Sequence, residues 1–408
     1  MSRLVERLLP LTLEIAGRQR LYAERWSDVS TSSITTVTEL GELPTIERRD
    51  IPAMEARAAP DDIVTSSSGT TGPPLVRSRS QEDVAFINDF FHPEVPQGPS
   101  IVVDSRQHGS ILGLRAAGVC EVRDDGRGSA VDAVIRRLLD RHEAPIEVVI
   151  AALPFVRLLT HEMLERSIAP ASCNLSLLVV TSDPVGRRRR DVLSTAWGCP
   201  VLERFSMSEV MGGATVCHQC GWMSFDPMVV PQVRSFDGGA DVEEGVGRLV
   251  LTELWPFSSD RPLVRYLTDD VVLVRPGSCN GGECPSFRSL GRWTPHASKT
   301  WRDQGAFVSS TALVEALHDT DLLRVGDPPD VGPTLRGLWP MAGRTSFRQA
   351  GSGLCCHLEV AAAPGFHPPA IARLEQLVRS VPVFGVGAHI QPHLVDFGTL
   401  DEVPELGG

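Results

Sequence analysis

The chain has 408 residues, of which 42% are apolar and 22% charged, with a formal net charge of −12. That much apolar material can bury a large core and suits two or more domains. The acidic balance argues against a nucleic-acid surface, because phosphate contact needs clustered basic side chains, and no apolar run is long enough to cross a membrane.

Residues 1 to 60 read as helix and loop, with apolar residues at Leu4, Leu8, Leu11 and Leu13. The stretch Thr65 to Ser80, TSSSGTTGPPLVRSRS, packs hydroxyls and two glycines into one short run. Hydroxyls and unhindered backbone N–H groups suit a polyphosphate, and glycine lets the main chain approach it closely. The spacing is not G-x-x-x-x-G-K-S/T, and the composition alone also describes a flexible linker. Glu82 to Phe91 suits a helix whose Phe86, Phe90 and Phe91 belong to a core or, less directly, a pocket wall.

An alternating pattern follows. Ile101–Val103, Val148–Leu153, Leu175–Val180 and Pro200–Glu203 read as buried strands, and Val131–His142, Val156–Glu165 and Arg187–Ala196 as helices. Such alternation predicts parallel βαβ units with ligands beyond the carboxyl ends of the strands. The run Arg187 to Arg190 lies within one of these helices and reads as a solvated face. Gly245 to Glu253, GVGRLVLTE, alternates as a half-exposed strand and marks a β-rich subdomain. Cys355–Ala361 as strand, Pro369–Ser380 as helix and His389–Phe397 as strand suit a small α+β domain. The expected fold is α/β: residues 1–292 form a large domain of mostly parallel sheet under helical layers, with a β-rich subdomain, and 293–408 a small α+β lid.

Nine cysteines are an odd number, and Met1 to Gln19 carries no visible secretion signal, so a cytoplasmic chain with reduced thiols is expected. Cys217-His218-Gln219-Cys220 and the pair Cys279 and Cys284 flank a β-rich stretch. That pairing suits a structural zinc held by Cys217, Cys220, Cys279 and Cys284, with His218 able to replace one thiolate; four unrelated buried thiols are the alternative. Lys299 is the only lysine.

The order Ser67-Ser68-Gly69-Thr70-Thr71-Gly72-Pro73-Pro74 resembles the phosphate loop of the adenylate-forming superfamily, with Pro73 where the family has lysine. Phe205-Ser206-Met207-Ser208-Glu209 resembles that family's Tyr-Gly-x-Thr/Ser-Glu segment, departing at Phe205 and Ser206. The resemblance implies Ser208 beside phosphate, Glu209 holding magnesium, and the Phe205 ring stacked on adenine; a helix cap at Ser208 is the other reading. Leu263-Val264-Arg265-Tyr266-Leu267-Thr268-Asp269-Asp270 resembles the segment whose last aspartate accepts both ribose hydroxyls, as a carboxylate can. Leu290-Gly291-Arg292 resembles the segment whose arginine contacts ribose and phosphate.

The cysteine pairs, with Ser208-Glu209-Val210-Met211-Gly212, LPTIERRD at 43–50 and GVGRLVLTELW at 245–255, look like the phenylacetate–CoA ligase-like branch. The resemblance runs from about residue 40 to 320 and implies ATP- and magnesium-dependent activation of an aromatic carboxylic acid to an acyl adenylate. Coenzyme A, an amine, a carrier-protein thiol or a reductase would then take the acyl group, or the chain is a nucleotide-binding relative without catalysis. Self-pairing into a homodimer is left open.

Two family features are replaced. The tail Val395 to Gly408 is acidic and has no lysine, and the hinge after Arg292 reads Trp293-Thr294-Pro295-His296. Charge passing between carboxylate and α-phosphate then falls to magnesium, Arg292 and Lys299. The acid pocket is expected among Phe86, His108, Gly109, Phe155 and the Ser182-Asp183-Pro184 turn, with His108 either positioning a carboxylate or an ordinary hydrogen-bonded residue.

Overall fold

Runs of branched apolar residues with no polar alternation build the centre of the molecule. In the computed structural model, VVIAA becomes β5 (Val148–Ala152) and LLVVT becomes β6 (Leu177–Thr181), both buried almost throughout. That is the pattern of strands covered on both faces. Described are residues 2–55, 59, 61–66, 75–83, 95–104, 119–123, 128–278, 284–294, 297–298, 301–302, 305–318, 345–350, 353–360, 368–385 and 390–396. The loop Ser67 to Pro74, the rings Phe86, Phe90 and Phe91, His108, Gly109, Cys279, Pro295, His296, Lys299 and the tail from 397 onward lie outside them.

The other strands are β1 (Ile63–Ser66), β2 (Val76–Arg79), β3 (Ser100–Asp104), β4 (Val119–Arg123), β7 (Val201–Ser206), β8 (Gly213–Val216), β9 (Met223–Phe225), β10 (Val229–Arg234), β11 (Gly245–Glu253), β12 (Tyr266–Arg275), β13 (Ser286–Arg292), β14 (Ala306–Val308), β15 (Thr345–Ala350), β16 (Gly353–Val360), β17 (Val383–Gly385) and β18 (Ile390–Asp396). An eleven-stranded sheet runs β10-β11-β12-β13-β9-β8-β7-β6-β5-β3-β4. From β4 to β7 every pairing is parallel, whereas β7-β8-β9 form an antiparallel meander. β1 and β2 make a separate antiparallel hairpin, with Ser66 opposite Val76.

The predicted helices form close to their expected bounds, at Ser129–Leu139, Leu153–Glu165 and Gly186–Trp197. Val102, Val148, Ile150, Leu177, Val179 and Leu202 pack into one apolar cluster under the parallel strands. Trp197 is wholly buried and donates its indole N–H to Thr160 Oγ1 at 2.9 Å, which satisfies its one polar atom. The first helix, Ser2–Gly17, buries Val5, Leu9, Leu13 and Ala16 and leaves Leu11 exposed. This corrects the expected stripe, since steps of four, four and three follow the 3.6-residue turn from Val5 rather than from Leu4.

The chain divides into two compact units: Met1–Val185, Ser194–Thr268 and Leu273–Arg288 in one, Gly186–Leu193, Asp269–Val272 and Ser289–Gly408 in the other. Within the second, β16 runs parallel to β18 and antiparallel to β15, with the helix Pro368–Arg379 between β16 and β18 in sequence. Among the described residues no helix is long and apolar enough to cross a membrane.

Candidate active site

The carboxyl ends of β3, β5, β6 and β7, neighbours in the parallel part of the sheet, share one edge. In such sheets that edge is where ligands bind. Phe155 follows β5 and is 5% exposed, on the inward face of its helix with Val156, Leu159 and Met163. Ser182 follows β6 directly, exposed and with φ of 79°, a left-handed conformation uncommon for serine. Ser206 ends β7, and Met207, Ser208 and Glu209 leave the sheet there.

No helix begins at Ser208, so the helix-cap reading of this Ser-Glu pair is set aside. The chain turns back instead into β8, through Gly212 at φ 89°, where an added Cβ would lie 2.6 Å from the Met228 side chain. Glycine is required at that turn. Phe205 packs its ring edgewise on Phe225, 6.0 Å between centroids, and Phe225 on Phe287 at 5.2 Å. Arg204 clamps Asp226 through two bonds of 2.8 and 2.6 Å, and Asp226 also accepts the Gly213 N–H at 2.8 Å. The segment therefore leaves a stiff meander.

The Glu209 carboxylate is mostly buried and is held by Arg48, whose Nη1 donates to Oε1 at 2.7 Å; Ser208 Oγ stands 3.4 Å from Oε2. Arg79 Nη2 donates to the Glu209 carbonyl at 2.7 Å.

In the second unit, Asp270 on β12 and Arg292 at the end of β13 form an ion pair, Nε to Oδ1 3.2 Å. The aspartate is buried, while the arginine side chain is 54% exposed. The donors of Arg292 thus face water beside a fixed carboxylate, an arrangement suited to a diol next to an anion. Gly291 sits at φ 120°, and an added Cβ would fall 1.9 Å from Ser310 Oγ, so the Gly-Arg order has a steric cause. Of the replaced hinge, Trp293 stacks on Phe307 at 6.3 Å, and Thr294 Oγ1 accepts the Ala297 N–H at 3.1 Å.

Cys217 to Gly221 forms a tight turn: the Gly221 N–H bonds the Cys217 carbonyl at 2.9 Å, and the Cys217 N–H bonds the Trp222 carbonyl at 2.8 Å. Arg288 donates to the Cys220 carbonyl at 2.9 Å, and both Arg275 and Arg288 stack on the Trp222 ring. Among the described residues, however, no three His, Cys, Asp or Glu side chains gather as metal ligands. Cys217, Cys220 and Cys284 with His218 are thus not brought together as a site.

Arg48, Arg77, Arg79 and Glu253 fall inside quoted stretches of the sequence, but no motif in those stretches singles them out. Arg77 and Arg79 are only 1% and 3% exposed, and their spacing of two on a strand was the available signal.

No family model matches the sequence, and no curated protein does. Among solved structures, the fold is similar to 2-hydroxyisobutyryl-CoA ligase in an open conformation with 2-HIB-AMP and CoA. The TM-score is 0.68 and the identity 14%, covering 97% of this chain and 88% of that one. It is also similar to a benzoate CoA ligase from Burkholderia xenovorans LB400, with TM-score 0.51 and 12% identity over 84% of this chain and 67% of that one. A third is ATP-bound MatB from Rhodopseudomonas palustris, TM-score 0.50 and 14% identity over 82% of this chain and 64% of that one. The chain has the fold of adenylate-forming ligases.

Proposed function

We propose that this chain is an adenylate-forming ligase that uses ATP to activate a small carboxylic acid, an aromatic one on the branch resemblance, and passes the acyl group to coenzyme A. The observation that carries the reading is the Asp270–Arg292 pair, 3.2 Å apart, at the two positions where the sequence expects ribose and phosphate contacts. The 2-hydroxyisobutyryl-CoA ligase of similar fold was captured with its acyl adenylate and CoA, which supports this chemistry.

In the first step a carboxylate oxygen bonds to the α-phosphorus and pyrophosphate leaves. In the second the CoA sulfur bonds to the acyl carbon, AMP leaves and the thiol proton is lost. Asp270 would accept the ribose hydroxyls, and Arg292, with Lys299, would offset charge on the α-phosphate. Glu209 offers the hard oxygen donors that suit magnesium, which would neutralise phosphate charge when bound, and Ser208 would lie beside the phosphate. Arg48 is the cation paired with the Glu209 carboxylate. Ser67 to Gly72 would grip the phosphates, Phe205 with Ser206 and Met207 would border the adenine, and His108, Gly109, Phe155 and Ser182 would line the acid pocket. Residues 1–292 would serve as the large domain and 293–408 as the small lid domain. A zinc held by Cys217, Cys220, Cys279 and Cys284 would pin the β-rich part, though the three of these cysteines that are described do not gather as ligands.

Exchange of labelled pyrophosphate into ATP across a panel of aromatic and short hydroxy acids tests the reading, with CoA thioester formation as the second readout. Exchange without thioester would direct the adenylate to an amine or a carrier-protein thiol. The absence of a lysine in the tail keeps a non-catalytic reading in view, and nucleotide binding without exchange for any acid would establish it.

A further inference from the structure

One buried carboxylate joins three segments that the sequence assigns to nucleotide handling. Glu253 closes β11 and is 1% exposed. Its Oε1 accepts the N–H of Met211, next to the Glu209 segment, at 2.7 Å and lies 2.9 Å from Arg79 Nη2. Its Oε2 accepts the N–H of Leu263, at the head of the Leu263–Asp270 stretch, at 2.8 Å and lies 3.5 Å from Arg77 Nη2. Arg77 and Arg79 stand two apart on β2, so both project to the same side of the strand.

β1 and β2 are the stem from which the hydroxyl-rich loop springs. Both strands of that stem are tied down. Arg261 pairs with Asp62, beside β1, and donates to the Ser78 carbonyl at 3.4 Å, while Arg77 donates to the Arg261 carbonyl at 3.3 Å. Arg79 then bridges Glu253 and the carbonyl of Glu209. Buried ion pairs contribute little net stability against an apolar replacement, yet losing one partner leaves a stranded charge, so their direction is strongly fixed.

We infer that Glu253 is a positioning residue for the nucleotide: through Arg77 and Arg79 it holds the β1–β2 stem in one register against the Glu209 and Leu263 segments. This rests on the ligase reading. Glu253 touches no substrate; it fixes where the loop's ends are anchored. A small displacement there is costly, because a shift of about 1 Å in a positioned group can lose about a hundredfold in rate.

The test is Glu253→Gln in the full chain, which keeps the size and one acceptor but removes the charge. Two quantities are read, ATP affinity by calorimetry with magnesium present and amide hydrogen exchange over residues 63–83 without ligand. The expected result is an ATP affinity weaker by about tenfold or more, faster exchange in that peptide, and an unchanged KM for the acid. Arg79→Gln, which also removes the bond to the Glu209 carbonyl, should show an ATP defect at least as large, and the double variant should be less than additive, since the two substitutions share the Arg79–Glu253 link. If Glu253→Gln fails to fold, Arg79→Gln carries the same test. ATP affinity within twofold of the parent, or unchanged exchange in that peptide, overturns the inference and leaves the ligase reading standing. A parent chain that takes up no ATP overturns both.

Discussion

Arg48 Nη1 donates to Glu209 Oε1 at 2.7 Å across 161 residues of sequence. The pair joins LPTIERRD to the segment leaving β7, and it puts a guanidinium at the carboxylate proposed to hold magnesium. A chain with Pro73 in place of a loop lysine thereby has a fixed cation at that carboxylate. Arg48→Met should raise the KM for magnesium-ATP by about tenfold, as expected for one charge-assisted hydrogen bond, with little change in the acid's KM. Pyrophosphate exchange at varied ATP measures it, and an unchanged or lower KM would leave Arg48 a purely structural partner.

Asp270 is buried and Arg292 largely open, so removing the carboxylate should cost binding more than folding. Asp270→Ala is expected to weaken ATP about tenfold or more, the loss of a charge-assisted hydrogen-bond acceptor. It should also abolish the parent's preference for ATP over 2′,3′-dideoxy-ATP. A variant that still prefers the ribose nucleotide would show that another group reads the diol.

Glu253 is expected to contribute to the loss of stability in acid. Burial pushes its carboxyl pKa up, but Arg79 and Arg77 beside it outweigh burial and bring it below the ordinary glutamate value. A folded pKa below the unfolded one gives a stabilising contribution present above the unfolded value and lost as pH falls through the folded one. The melting temperature of the parent should therefore drop as pH falls below the ordinary glutamate range. Glu253→Gln should flatten that slope, and identical slopes would assign the acid sensitivity to other groups.

If the four cysteines hold zinc, metal analysis of the purified chain finds it equimolar with protein, and Cys220→Ser loses it along with thermal stability. Zinc-free protein with normal stability would return these cysteines to the status of unrelated thiols, the reading that the described side chains suit as they stand.

Much of the architecture was legible along the chain because its determinants are local. A short apolar run such as Leu177–Val180 reads as a strand covered on both faces, as β6 is, whereas GVGRLVLTE reads as half-exposed and β11 instead buries every residue from Leu249 to Glu253. Asp270 and Arg292 each close a short motif in the sequence, and the fold pairs them at 3.2 Å. The first helix shows the opposite case: several leucines fit a stripe, and burial chose Val5, Leu9, Leu13 and Ala16.

By itself, then, the sequence determined the alternating α/β order and the residue types within each short motif, because periodicity and short motifs act within a few residues. The tertiary structure alone decided that Arg48 faces Glu209 and that Arg77, Arg79, Met211 and Leu263 meet at Glu253. Pairings across tens to hundreds of positions have no periodic signature. A buried arginine reads like an exposed one until the fold supplies its carboxylate.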